Sequence, residues 1–309
     1  MAQTVLTQVL LLSLMMLLGY LLGKSGYMKK EHSDFLSRLL LDVFFPCNVL
    51  VSACSDFGEG DKLNTLVAIV FYFALLMLFT LIGTLTAKLM RMDRDHALVL
   101  SRSVGFPNNG FMGLPLCAAV FGAKGAVWSA LSVPGTTFYM FAVTMMAFQR
   151  GKDGEKQSLR TLVNPLNISV ALMIVMVVTG LKLPRFLQSV CSSFGGCTTP
   201  AAMLVVGYLL SASPLLDTLR KPAIYVSTLL RNLICPLLAA VLFRFTGWDT
   251  EMCLCLVMVL GCSVGSTVGI FAARYDRAPE FASQCVLQSS LLLPVTMPVM
   301  MVFAEKILM

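Results

Sequence analysis

Charge is scarce in this chain. Asp, Glu, Lys and Arg together make up 13% of its 309 residues, against about 25% in a soluble domain. A solvated surface around one or two soluble domains is therefore excluded. Histidine is scarcer still: His32 and His96 are the only two, and both sit in charged connections. There are ten cysteines but no Cys-x-x-Cys pair, and Cys47, Cys117, Cys235, Cys253, Cys255, Cys262 and Cys285 fall inside apolar runs, where a thiol behaves as a small hydrophobe. Neither a metal centre nor the disulfide framework of a small secreted domain fits that distribution. The phosphate-cradling pattern Gly-x4-Gly-Lys-Ser/Thr is also missing, which removes ATP as a direct energy source. Lys and Arg number 23 against 16 Asp and Glu, yet they lie between apolar runs rather than on one face, so nucleic acid is not an expected partner.

What is present is apolar. Hydrophobic residues make up 57% of the chain, and at roughly 20 residues per membrane-spanning helix ten such helices and their connections use all of it. The expected fold class is all-α: a polytopic membrane protein with spans near 5–23, 35–54, 64–88, 96–121, 126–148, 163–181, 198–213, 223–245, 251–273 and 281–304. The first run is read as a retained span. Met1-Ala2-Gln3-Thr4 lacks a basic lead, and the run to Gly23 is too long for a signal-peptide core. The seventh is the weakest, being short and opening at Pro200.

Basic residues set the orientation. Fifteen fall in connections after odd-numbered spans and six on the opposite side. Both termini are thus expected outside the cell membrane, with the loop at 149–160 in the cytoplasm. Gly26 and Pro46 are 20 apart, as are Gly180 and Pro200, and an offset of 155 brings Gly110 onto Gly265. Two five-helix units so related have opposite orientations, the inverted-repeat plan of secondary transporters. The expected division is residues 1–150, a cytoplasmic connection at 151–162, and residues 163–309. A chance likeness between two Gly/Pro-bearing apolar sequences is the alternative.

The fourth span carries the most informative segment, Gly105-Phe106-Pro107-Asn108-Asn109-Gly110-Phe111-Met112-Gly113-Leu114-Pro115-Leu116. Pro107 removes a donor and disfavours helix at Phe106. Two asparagines in the middle of an apolar span are costly unless they line a cavity or cap a half-helix. A broken helix is the reading; a proline kink with both amides bonded to neighbouring helices is the alternative. In the ninth span, Gly261-Cys262-Ser263-Val264-Gly265-Ser266-Thr267-Val268-Gly269 is either a second break or a small-residue packing face. Opposed half-helix N-termini would bring partial positive charge together and favour an anion. Arg102 is either a charge partner for that anion or a snorkelling side chain; Arg231 and Asn232 read similarly. Asn48, two residues after Pro46, adds an amide.

The Gly105–Leu116 segment resembles the fourth-helix signature of the auxin efflux carrier family, bacterial branch, as does the stretch from Phe281 to Pro298 with its Leu-Gln-Ser-Ser-Leu-Leu-Leu-Pro pattern. The resemblance implies two inverted five-helix repeats whose helices four and nine unwind where they cross, as in the sodium/proton antiporter and bile-acid symporter fold group. It also implies an elevator movement of a transport domain against a scaffold, and a carboxylate-type cargo: the auxin anion in plant relatives, malate or malonate in bacterial ones. Carried over, the crossover site is Pro107, Asn108 and Asn109, with Gly110 beside them. In helix nine the family's crossover proline is replaced by Cys262 or a neighbour.

The expected function is secondary transport of a small organic anion. Asn108 and Asn109 serve as hydrogen-bond donors, Ser263, Ser266 and Thr267 face them, and Arg102 is a lesser charge partner. No cofactor is expected; coupling to a proton or sodium is unreadable, and a homodimer is left open. Two alternatives remain, a non-transporting membrane sensor of the same fold and a cation-coupled carrier of the bile-acid symporter kind. An enzyme would need a nucleophile with a base or a metal cluster, which two loop histidines do not supply. Cys191 and Cys197, six apart on the expected outer side, leave open a disulfide or two free thiols.

The orientation is testable by thiol labelling. A cysteine introduced at 149–160 should be shielded from an impermeant reagent in intact, sealed cells; labelling from outside would invert the topology.

Overall fold

The computed structural model describes residues 2–54, 59–149, 165–211 and 221–309. The expected connection at 151–162 lies outside them. The described residues form helices and their connections, without a strand: α1 (Ala2–Lys24), α2 (Lys30–Leu39), α3 (Phe45–Ser52), α4 (Glu59–Leu89), α5 (Arg94–Gly105), α6 (Leu114–Ala130), α7 (Ser132–Tyr139), α8 (Met146–Gln149), α9 (Pro165–Thr179), α10 (Arg185–Gly195), α11 (Thr198–Ser211), α12 (Pro222–Leu229), α13 (Cys235–Phe243), α14 (Thr250–Leu260), α15 (Ser266–Arg274) and α16 (Pro279–Leu308). Five continuous stretches among them are long and apolar enough to cross a membrane: Val67–Leu89, Asn109–Ala130, Arg185–Ser211, Pro222–Phe243 and Pro279–Leu308. Leu14 on α1, Val70, Leu81 and Leu85 on α4, and Val295 and Phe303 on α16 stand exposed, an arrangement that lipid tolerates and water penalises.

Three helices widen at a proline. Phe45 N–H bonds the Leu40 carbonyl, Leu114 the Asn109 carbonyl and Cys235 the Leu230 carbonyl, each five residues back rather than four. The next residue is Pro46, Pro115 or Pro236. A proline cannot bond the carbonyl four positions back, and its ring collides with it. Inserting one residue into the turn moves that carbonyl away while keeping the helix continuous. The widened turns hold Asn109 and Arg231, so the proline spacing shapes the places where polar side chains enter the bundle.

One expected connection is helical. The segment at 182–197, read as a connection, is mostly helix: α10 runs through a turn into α11, giving one apolar stretch Arg185–Ser211. Its serines made it look like a loop, but Ser189 and Ser193 bond the carbonyls of Arg185 and Ser189 within the helix. Cys191 and Cys197 are free thiols in this segment, so the disulfide alternative is not realised. Gly122, with φ of 64° and ψ of −147°, kinks the chain inside α6, next to the expected end of the fourth span at 121.

The helices pack in two groups. In one, α1 lies along α11, and α3 packs on α9 and α10. In the other, α4 packs on α5 and α7, α14 on α6 and α13, and α16 on α12, α13 and α15. The groups meet chiefly where α1 touches α16 and α6, and α3 touches α6. Close approach of α1 and α11 depends on Gly207: a Cβ there would run into the Met16 carbonyl oxygen and lie 2.7 Å from the Tyr20 amide nitrogen.

Gly207→Leu should therefore destabilise the purified protein by about 1–3 kcal/mol, the usual cost of overpacking, seen as a lower melting temperature in detergent. Gly269→Ala, whose Cβ would meet nothing within 4 Å, should melt like the wild type. Equal melting of the two variants would contradict this packing.

Candidate functional site

Both expected breaks are present, and they lie against each other. Helix α5 ends at Gly105; Phe106 is extended at φ −108° and ψ 104°, and the helix restarts only at Asn109. Helix α14 ends at Leu260 and α15 starts at Ser266. The two extended pieces pair as a single antiparallel bridge between Pro107 and Val264. Asn108 N–H donates to the Ser263 carbonyl at 2.9 Å, and Gly265 N–H donates to the Phe106 carbonyl at 2.9 Å. Backbone groups freed by one break thus meet those freed by the other, which a low-dielectric surrounding requires. The crossing decides between the two readings of the helix-nine glycines: at Gly265 a Cβ would lie 3.0 Å from the Pro107 carbonyl oxygen and collide with the Phe106 ring. Gly265 is there to let one chain cross the other.

The carbonyls that end both half-helices face one side chain. Arg231 is fully buried, and its guanidinium donates to Val104 O at 2.8 Å, Leu260 O at 2.6 Å and Cys262 O at 3.1 Å. Val104 belongs to the end of α5; Leu260 is the last residue of α14 and Cys262 lies two residues beyond it. The negative ends of two helix dipoles are therefore held by one cation, which has no carboxylate partner among the described residues. Next to it, Asn232 Nδ2 donates to Ser289 O at 2.9 Å and Thr296 Oγ1 at 3.1 Å, while Ser289 Oγ accepts from Val264 N–H at 3.0 Å. Helix α16 is thereby fastened to the second break.

The opposite ends open on a cavity of about 180 Å³. Pro107, Asn108, Asn109, Gly110, Ser266 and Thr267 line it, with Phe106, Phe111, Thr136, Thr137 and Met140 completing the wall. Among the described residues it has no acidic side chain in its wall. The two asparagines behave differently. Asn109 Nδ2 gives both protons to the protein, to Ser132 Oγ at 2.9 Å and Thr136 Oγ1 at 2.6 Å, and its Oδ1 accepts from Tyr72 OH at 3.2 Å. Asn108 Oδ1 accepts from Phe111 N–H at 3.4 Å as a helix cap, and its Nδ2 has no partner among the described residues, nor do the hydroxyls of Ser266 and Thr267.

Four of the anticipated residues lie elsewhere. Ser263 is buried and its hydroxyl donates to Met112 Sδ at 3.0 Å. Cys262 Sγ turns back onto the Met258 carbonyl. Asn48 Nδ2 donates to Gly195 O at 3.2 Å, between α3 and α10. Arg102 lines a separate cavity. The residues not anticipated are Thr136 and Thr137 in the wall, Tyr72 and Ser132 behind Asn109, and above all Arg231 as a clamp. Its signal was an arginine without an acidic neighbour, five residues before the next proline in an otherwise apolar span.

Comparison with known proteins shows the family. The profile of a family described as membrane transport protein matches residues 4–301. An uncharacterized transporter of Methanothermobacter thermautotrophicus is 24% identical over 299 residues, 94% of this chain and 95% of that protein. An uncharacterized transporter of Methanocaldococcus jannaschii is 25% identical over 215 residues, 67% of this chain and 69% of that protein.

Removing the clamp should be costly. Arg231→Ala leaves three buried carbonyls without donors, at about 1–3 kcal/mol each, so folded yield and melting temperature should fall sharply. Arg231→Lys, which keeps the charge but cannot span three carbonyls, should fall between. An Arg231→Ala protein as stable as the wild type would show that the half-helix ends are held by something else.

Proposed function

The chain belongs to the membrane transport protein family, the one to which its fourth-span signature pointed, and from that premise we propose that its cargo is a small organic anion, a carboxylate, bound at the crossover. One observation carries the reading: the N-terminal ends at Asn109 and Ser266 open on the same acid-free cavity, beside the unpaired donors of Asn108, Ser266 and Thr267. Each helix N-terminus contributes roughly half a positive charge in its first turn, and oriented N–H groups there favour anions. A cation would find no carboxylate and no free carbonyl end. Carriers of the inverted-repeat plan hold their coupling cations at half-helix C-terminal carbonyls; here Arg231 takes those carbonyls, so the reading needs no coupling ion at that point.

The movement in this reading is of the elevator kind. Ten spans in two inverted repeats, set in the cell membrane with both termini outside, would divide into the α1–α3 and α9–α11 group as scaffold and the rest as carrier. Supporting this, everything that holds the crossover together (Arg231, Asn232, Ser289 and the Asn109 network) lies within the second group. The seam between groups is apolar, lined by Leu12, Met16, Met112, Leu116, Met203 and Leu293. Unbranched methionines adapt to a changing partner surface, which suits a sliding contact better than an interlocked one.

The two asparagines separate ligand binding from support. Asn108→Ala removes a donor to a charged group, worth about 1.5–3 kcal/mol, so the half-saturation concentration for carboxylate uptake into proteoliposomes should rise about tenfold to a hundredfold with little change in melting. Asn109→Ala takes the amide acceptor from Tyr72 and the amide donors from Ser132 and Thr136 and should lower the melting temperature as well as uptake. Unchanged affinity in a folded Asn108→Ala protein would move the site away from the crossover.

A further inference from the structure

A second cavity, of about 230 Å³, lies on the other side of the first break, walled by Arg94, Asp95, Ser101, Arg102, Arg277 and Thr84. Three arginines face one aspartate. Arg277 is taken, its guanidinium bonded to Asp95 Oδ1 at 2.6 Å. Arg102 has no acidic partner among the described residues: its one hydrogen bond runs from Nη1 to Tyr139 OH at the long distance of 3.5 Å, and its Nε is buried without a partner. Arg94 likewise makes no ion pair there. Among the described residues, therefore, two positive charges in this half-enclosed space have no carboxylate partner. The hydroxyls of Thr84 and Ser101 bond each other at 2.7 Å in its wall and both reach the Thr80 carbonyl. A cationic concavity with low-dielectric walls concentrates anions, and a guanidinium fork matches carboxylate or phosphate oxygens.

We propose that this cavity is a second anion site, separate from the crossover, that takes a small soluble dianion, a short dicarboxylate or inorganic phosphate, on Arg102. Its size is below the roughly 300–1,000 Å³ of pockets that take drug-sized ligands, so a nucleotide or a large aromatic acid does not fit. Position gives the site its meaning. Arg102 is one helical turn from the Gly105 end of α5, and the rings of Tyr139 and Phe106 stand 6.0 Å apart between it and the crossover cavity. An anion held here waits next to the break and is separated from it by two aromatic side chains. The site is independent of what the crossover binds.

The probes are radiolabelled succinate and inorganic phosphate, measured by equilibrium dialysis on the full-length protein in detergent. Arg102→Gln should weaken binding of at least one of them by tenfold or more, while Asn108→Ala leaves that component in place; Arg102→Lys, which keeps the charge, should stay within a few-fold of the wild type. Wild-type binding of both probes by folded Arg102→Gln overturns the proposal, whereas loss of a component in Asn108→Ala alone speaks only to the crossover. A second measurement works with Arg102 intact. A cysteine at Ala97, in the cavity wall, should react at least tenfold faster with an anionic than with a cationic thiosulfonate, and phosphate should slow it. Equal rates would overturn the site even if Arg102→Gln failed to fold. Nanodiscs with and without phosphatidate identify the source: equal phosphate affinity in both supports a soluble ligand, and displacement by the lipid overturns that assignment.

Discussion

A single guanidinium decides whether two helices can be broken inside this bundle. Interrupting a helix in an apolar surrounding exposes carbonyls that have no water to turn to, at several kcal/mol each. This chain interrupts two and brings the carbonyl ends to one place, where Arg231 reaches Val104, Leu260 and Cys262 together. Lysine has one point of charge; arginine has five donors in a plane and stays charged under all conditions relevant to a protein. Burying it without a carboxylate is tolerable because the partial negative charges of two helix ends replace the missing counter-ion. With the carbonyl ends fastened, the amide ends are left pointing the other way, at the crossover cavity. The polarity of the site follows from the clamp.

The second constraint is proline spacing. Pro115 and Pro236 each force the turn before them to widen, and those turns carry Asn109 and Arg231. Pro107 does something stronger: with Gly105 before it, it stops α5 outright. The same residue type therefore gives a bulge in one place and a break in another. The difference lies in the neighbours, namely an apolar, helix-forming Leu-Ile-Cys before Pro236 and a Gly-Phe before Pro107.

Much of this was legible in the sequence because the membrane restricts what an apolar chain can do. Composition alone excludes a soluble fold, and Pro107-Asn108-Asn109 in an apolar run leaves few options. The break at Pro107 follows from those residues, whereas at Gly261–Gly269 the sequence left a second break and a packing face both open until Gly265 was seen against Phe106 and Pro107. What was not legible depended on long-range pairing. Nothing local says that Asn109, rather than Asn108, turns inward to Ser132 and Thr136, residues 23 and 27 positions away. Arg231 reads as a snorkelling or functional charge until the structure brings Val104, 127 positions distant, onto its Nη1. The α10 segment was missed for a different reason: Ser, Cys and Gly are loop-like by composition, and only serine-to-carbonyl bonding along the helix shows how it accommodates them.

The central claim is that the crossover presents positive potential to a cargo of negative charge. The sign of that charge can be read directly from proteoliposomes adsorbed on a solid-supported membrane, by rapid exchange between small carboxylates, their neutral amides and amines of the same size. The account predicts saturable transients for carboxylates, with the polarity of anion movement and no response to amides or amines. Saturable transients of opposite polarity evoked by amines, with carboxylates silent, would contradict it.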